Sequence, residues 1–194
     1  MTAPDTATIS PDSISAAELL AQLSDPTLTV VDLRPLAAYN GWRLGGEPRG
    51  GHVPGAAALP ATWLSTVDEI ELRRELASRS IAPDRSIVVY GAGPDDTTVG
   101  AAVRRLRELG VDDVRALEGG WSAWSADGEL PVERLTNYEK LVHTAWLRDV
   151  LDGRRPEAAP DGDVLVFHVN FGVPEEYAES HIPGALYLDT NWLE

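Results

Sequence analysis

Residues 91–98, Gly91-Ala92-Gly93-Pro94-Asp95-Asp96-Thr97-Thr98, have the residue types and spacing in this chain best suited to handle a small anion. They follow the apolar run Ile87-Val88-Val89-Tyr90 and lead into a stretch of good helix formers, Thr98 to Leu109. A glycine-rich bend between a strand and a helix N-terminus presents backbone amides and the positive end of the helix dipole. Such a bend can cradle a dinucleotide phosphate. The nucleotide reading fails at the third glycine of that fingerprint, which here is Asp96; carboxylates at Asp95 and Asp96 repel pyrophosphate. Asp95 and Asp96 read better as a helix N-cap and a solvated bend residue than as a catalytic pair. Thr97 and Thr98 carry hydroxyls but have no adjacent base to make either a nucleophile. The four histidines show no ligand spacing such as i, i+4. The chain has no cysteine, which excludes disulfides, thiolate metal sites and persulfide intermediates. No catalytic residue, metal or cofactor is therefore assigned.

The elements that must position this loop follow from patterning. Ser15-Ala16-Ala17-Glu18 matches a capping box and predicts a helix through Leu19, Leu20 and Leu23. Leu28 to Leu33 and Ile87 to Tyr90 read as buried strands, Val114 to Leu117 as a third. Asp68 to Ser80 and Thr98 to Leu109 read as helices, the second ended by Gly110. Strands alternating with helices imply an α/β fold with a parallel sheet and helices on both faces. Glu118-Gly119-Gly120-Trp121 turns the chain into a last short helix.

Composition bounds the rest. At 43% hydrophobic and 24% charged, with six Trp, the chain can bury a core. A net charge of −15 argues against nucleic acid and anionic membranes. No apolar run reaches the ~20 residues a bilayer requires, and the N-terminus lacks a secretory pattern. A cytoplasmic location is expected.

The second part of the chain repeats the first. Val142, Leu147 and Leu151 repeat Ile14, Leu19 and Leu23. Gly51-His52-Val53-Pro54-Gly55-Ala56 returns as Ser180-His181-Ile182-Pro183-Gly184-Ala185. Leu59, Trp63 and Leu64 recur as Leu188, Trp192 and Leu193. His168 falls near the place of Asp32, and Asn170 near that of Arg34, so an Asp-Arg pair is lost in the copy. His52 and His181 occur in both copies, which argues for a structural role. The expected organisation is a flexible tail at 1–12, a domain at 13–128, a linker at 129–141, and a truncated second domain at 142–194. A partial domain would leave a strand near Val164–Val169 with open edges. It must pack on the first domain, pair with a second copy as a homodimer, or stay partly disordered.

These landmarks resemble the rhodanese (thiosulfate sulfurtransferase) family, tandem-domain type. They are Val31-Asp32-Leu33-Arg34, the turn at His52 and Gly55 with its copy at His181 and Gly184, Ile87 to Tyr90, and Leu117-Glu118-Gly119-Gly120-Trp121. The insert from Tyr39 to Gly51 is similar to one in some multi-domain sulfurtransferases. The resemblance implies a rhodanese-like sheet and an incomplete second repeat. It also implies transfer of sulfane sulfur from thiosulfate or 3-mercaptopyruvate by a loop cysteine, with a small sulfur-containing anion as partner. Gly91 stands where that cysteine is expected, and Asp95 and Asp96 replace the basic loop. The resemblance therefore implies a vestigial active loop at Gly91–Thr98 and an inactive first domain. The alternative is a binding or regulatory module that uses the 91–98 loop as a docking surface.

Overall fold

The computed structural model describes residues 12–193. The expected tail falls outside the described residues, apart from Asp12. The chain divides into two compact units, one through Leu141 and one from Val142.

In the first unit the capping box forms as its residues dictate. Ser15 Oγ accepts from the Glu18 amide at 3.3 Å, and the Ser15 amide donates to Glu18 at 2.9 Å. Two orphan amides of the helix end are thereby satisfied. In chain order the elements are β1 (Ser13–Ile14), α1 (Ala16–Gln22), β2 (Leu28–Asp32), α2 (Leu36–Asn40), β3 (Ala57–Ala58), α3 (Trp63–Thr66), α4 (Glu69–Ser78), β4 (Ser86–Tyr90), α5 (Thr97–Glu108), β5 (Val114–Leu117) and α6 (Gly120–Ala126). The five strands form one parallel sheet ordered β1-β5-β4-β2-β3.

Side chains alternate across a strand, and both faces of this sheet are apolar. Val31, Ile87 and Val89 pack with Leu72 and Leu76 of α4 and Ala102, Val103 and Leu106 of α5. Val30, Val88 and Tyr90 pack on the other face with Leu19 of α1 and Trp121 and Trp124 of α6. This double coverage explains why β2 and β4 read as continuous apolar runs.

The chain leaves β2 toward β3 on one side and leaves β4 toward β5 on the other. The reversal opens a crevice at the C-terminal ends of β2 and β4, where ligands bind in open α/β sheets.

Residues 129–141, read as a linker, are bound to the first unit. Leu130 joins the core, and Trp124 Nε1 donates to the Pro131 carbonyl at 2.8 Å. His52 and Glu133 form an isolated antiparallel bridge.

The second unit contains α7 (Thr144–Leu151), β6 (Phe167–Asn170), α8 (Glu175–Glu179) and β7 (Leu186–Asp189). β6 and β7 pair in parallel, in the same register as β2 and β3: Asp32 faces Ala58, and His168 faces Tyr187. The copy is thus structural as well as textual. The strand begins later than the expected Val164. Its partner starts only at Leu186, after the Pro183-Gly184 turn, so the ladder cannot open before Phe167. Leu165, Phe171 and Val173 are exposed. No helix among the described residues is long and apolar enough to cross a membrane.

Leu106 is fully buried between α5 and the sheet. Leu106→Ala should destabilise the first unit by about 2–5 kcal/mol through lost transfer energy and the cavity left behind. Urea unfolding followed by Trp fluorescence measures this; a loss below about 1 kcal/mol would contradict the packing described.

Candidate functional site

The crevice at the switch point has a volume of about 350 Å³. Leu33, Arg34 and Pro35 line it after β2, Pro60 to Thr62 after β3, and Ala92, Asp96 and Thr98 after β4. The sequence-predicted loop and the Asp32–Arg34 motif therefore meet in one place.

Beneath the crevice lies a buried ion pair. Arg34 Nε donates to Asp32 Oδ1 at 3.0 Å and Nη2 to Asp32 Oδ2 at 2.6 Å. Nη2 also donates to the Gly51 carbonyl at 2.6 Å. The Tyr90 hydroxyl donates to Asp32 Oδ2 at 2.8 Å and accepts from the Val53 amide at 3.2 Å. Burial, then the Asp32 carboxylate, push the Tyr90 phenol well above its ordinary value, so it stays a donor. The Arg34 guanidinium lies 4.3 Å from the centre of the Trp121 ring, a cation–π contact. Arg34 Nη1 and Trp121 Nε1 are buried without a hydrogen-bond partner among the described residues.

Gly119 and Gly120 explain the Glu118–Trp121 motif. Both have positive φ, +69° and +56°. This bend, which side chains resist, brings the start of α6 against the end of β4. The Trp121 amide donates to the Gly91 carbonyl at 3.0 Å, and the Ser122 amide to the Ala92 carbonyl at 2.9 Å. A Cβ on Gly120 would approach the Gly91 oxygen to 2.8 Å. Glu118 itself is exposed and accepts from Ser13 Oγ at 2.6 Å.

At the loop, Gly91 is buried while Ala92, Pro94, Asp95, Thr97 and Thr98 are exposed; Gly93 is half-buried. The two carboxylates behave differently. Asp96 is the N-cap of α5 and turns inward. Its Oδ1 accepts from the Thr98 amide at 3.0 Å and Thr98 Oγ1 at 2.6 Å, and its Oδ2 accepts from the Ala92 amide at 2.9 Å. Partial burial works to raise its pKa, but the Thr98 hydroxyl and the two amides outweigh it and hold the carboxyl below its ordinary value. Asp95 stays at the surface. A Cβ placed on Gly91 would lie 2.8 Å from both Asp96 Cγ and Val99 Cγ2. The carboxylate thus fills the space in which a side chain at position 91 would stand.

The two motif histidines are outside this crevice. His52 Nδ1 is 2.7 Å from the Tyr39 carbonyl, and its ring stacks on Tyr39 at 3.7 Å. Tyr39 Oη donates to the Ala56 carbonyl at 2.8 Å. The second unit repeats each contact: His181 Nδ1 to the Tyr177 carbonyl at 2.7 Å, a stack at 4.0 Å, and Tyr177 Oη to the Ala185 carbonyl at 2.8 Å. The histidines thus brace the turn, and Gly55 and Gly184 take positive φ within it. Among the described residues no three His, Asp or Glu side chains cluster as a metal site.

Sequence reasoning missed Arg49, in the insert. Its guanidinium donates to the carbonyls of Trp124, Ser125, Asp127 and Leu130, capping the C-terminal end of α6. A cation there satisfies orphan carbonyls and complements the helix dipole. Nothing in the insert's aperiodic composition signalled this. Tyr90 was read only as core, although a Tyr buried at a strand end calls for a polar partner.

A profile of the rhodanese-like domain family matches residues 15–127. Thiosulfate sulfurtransferase YnjE of Escherichia coli is 34% identical over 175 residues, 90% of this chain and 38% of that protein. An Escherichia coli 3-mercaptopyruvate sulfurtransferase is 32% identical over 127 residues, 62% of this chain and 44% of that protein. The solved structure of the anaerobic ergothioneine biosynthesis enzyme of Chlorobium limicola, in complex with trimethyl histidine, superposes with a TM-score of 0.86 at 31% identity. It covers 95% of this chain and 42% of that one. The chain spans less than half the length of each of these proteins.

Arg34→Met would leave Asp32 buried and uncompensated. A loss of about 3–5 kcal/mol is expected in chemical denaturation; a near-neutral result would show that the pair does not hold the site. For Asp96, the depressed folded pKa means its contribution is present above the unfolded value of about 3.9 and is lost as pH falls through the lower folded value. Asp96→Asn should therefore destabilise the protein at neutral pH, and the gap from wild type should narrow below about pH 4. Paired urea midpoints at the two pH values measure it. A constant gap would contradict the assignment.

Proposed function

The chain belongs to the rhodanese-like domain family, and from that premise we infer that it is a non-catalytic member of the sulfurtransferase group. One observation carries this reading: buried Gly91 follows β4 where a nucleophile would be aimed, and the Asp96 carboxylate fills the side-chain volume. Sulfane sulfur transfer needs a thiolate that attacks the outer sulfur of thiosulfate. The S–S bond breaks, sulfite departs with the electron pair, and a persulfide remains for cyanide or a thiol to attack. No residue of this chain is a thiol. Neither threonine of the loop is a thiol, and Thr98 Oγ1 is held by the Asp96 carboxylate, whose pKa lies below its ordinary value and which is therefore a weak base.

Any parent activity toward thiosulfate or 3-mercaptopyruvate would then depend on a cysteine outside residues 1–194. The names of the relatives support both donors and favour neither. The first domain supplies a crevice, a buried cation and amides bonded at the start of α5, which suits a supporting role in a cytoplasmic, multi-domain sulfurtransferase. The reading of the 91–98 loop as an acidic docking surface is less well supported, because Asp96 turns inward and leaves Asp95 as the loop's only outward carboxylate.

A thiosulfate:cyanide assay on this polypeptide should yield no thiocyanate above a heat-killed control. Turnover above that control would overturn the reading.

A further inference from the structure

Gly91 is not demanded by its own backbone. Unlike Gly119 and Gly120, it is not at positive φ, so the chain path there admits an L side chain. What forbids one is volume. Asp96 Cγ and Val99 Cγ2 lie 2.8 Å from the position of a Cβ, and Asp96 Oδ2 is closer still. Val99 presents only a methyl tip. Asp96 cannot swing away without abandoning the Ala92 amide, the Thr98 amide and the Thr98 hydroxyl.

Those donors are the second observation. Two amides and a hydroxyl at the N-terminus of a twelve-residue helix form a cradle for negative charge. Arg34 also borders this crevice, but its guanidinium is buried against Asp32, the Gly51 carbonyl and Trp121, so the loop donors alone form the cradle. The cradle is already filled, and its occupant is covalently part of the chain.

We propose that Asp96 is an internal anion that holds the place of both a side chain at position 91 and a sulfur oxyanion, and so determines that this domain refuses such ligands. The inference deepens the non-catalytic reading and rests on it. Loss of the nucleophile is then a coupled change at two positions: a thiol returned to position 91 alone meets the carboxylate in its volume and beside its charge.

Two experiments on the full chain test this. Thiosulfate is titrated into wild type, Asp96→Asn and Asp96→Gly at constant ionic strength, following the Ala92 and Thr98 amide resonances. Asp96→Gly keeps an acceptable N-cap residue and should show saturable shifts, with binding at least about tenfold tighter than in wild type. Asp96→Asn, neutral but still filling the cradle, should stay near wild type. Equal binding by wild type and Asp96→Gly would overturn the proposal. Should Asp96→Gly not fold, Asp96→Ser carries the same expectation.

The second experiment is a double-mutant cycle on thermal midpoints with Gly91→Cys, Asp96→Gly and their combination. Gly91→Cys alone should lower the midpoint by roughly 5 °C or more. In the combined variant Asp96→Gly should recover part of that loss, giving clear non-additivity. Its thiol should also titrate about one unit lower than in Gly91→Cys, read from the pH dependence of iodoacetamide alkylation. Additive midpoints with unchanged thiol titration would overturn the coupling while leaving the non-catalytic reading standing. Thiocyanate formation by wild type would overturn the non-catalytic reading and the proposal with it.

Discussion

A carboxylate with no solvent exposure must find its charge balance inside the protein, and for Asp32 that balance is Arg34, two residues along the chain. The pair is costly to desolvate and is held by the bidentate contact and the further bonds from Tyr90 and to Gly51. Tyr90 brings β4 to the carboxylate, Gly51 brings the end of the insert to the guanidinium, and Trp121 brings α6 over it. Three segments remote in sequence thus converge on one ion pair. The crevice borders this pair at Arg34, at the end of the sheet where the parallel strands part.

The second unit shows how much of the design is packing and how much is charge. It keeps the strand register, and the tyrosine–histidine brace recurs to within a few tenths of an ångström. The brace is kept even though its two residues are thirteen apart in the first unit and four apart in the second. It does not keep the ion pair. His168 makes an edge contact with Tyr177, and Asn170 donates to exposed Glu176. The turn geometry recurs in the second unit without the pair, so the pair's bonds to Gly51 and, through Tyr90, to Val53 are not required for it.

Much of this was legible in the sequence because local rules acted unopposed. The capping box at Ser15, the doubly covered strand at Ile87 to Tyr90, and the helix stop at Gly110 each follow from neighbours within a few residues. The repeat at His52 and His181 was legible for the same reason. What escaped was long-range polar bonding. Arg49 reaches four carbonyls in and just beyond α6 from an insert with no periodicity, and no local pattern marks such a residue. The residues after Asp127 read as a linker because their composition is polar. Leu130 and the Glu133 bridge tie them down through contacts that only the folded chain creates.

The adjacent pair Asp95-Asp96 marks the limit of composition as evidence. Charge counting treats the two carboxylates as equal and reads an acidic, repulsive loop. Helix geometry does not. The residue that starts α5 must turn its side chain back to the free amides, and this same rotation carries the Asp96 carboxylate across the strand end to Gly91. One residue thereby caps a helix, accepts from the Ala92 amide and occupies the space that a Cβ at position 91 would need. The cap that occupies this space also satisfies the free amide of Thr98 and so stabilises the helix.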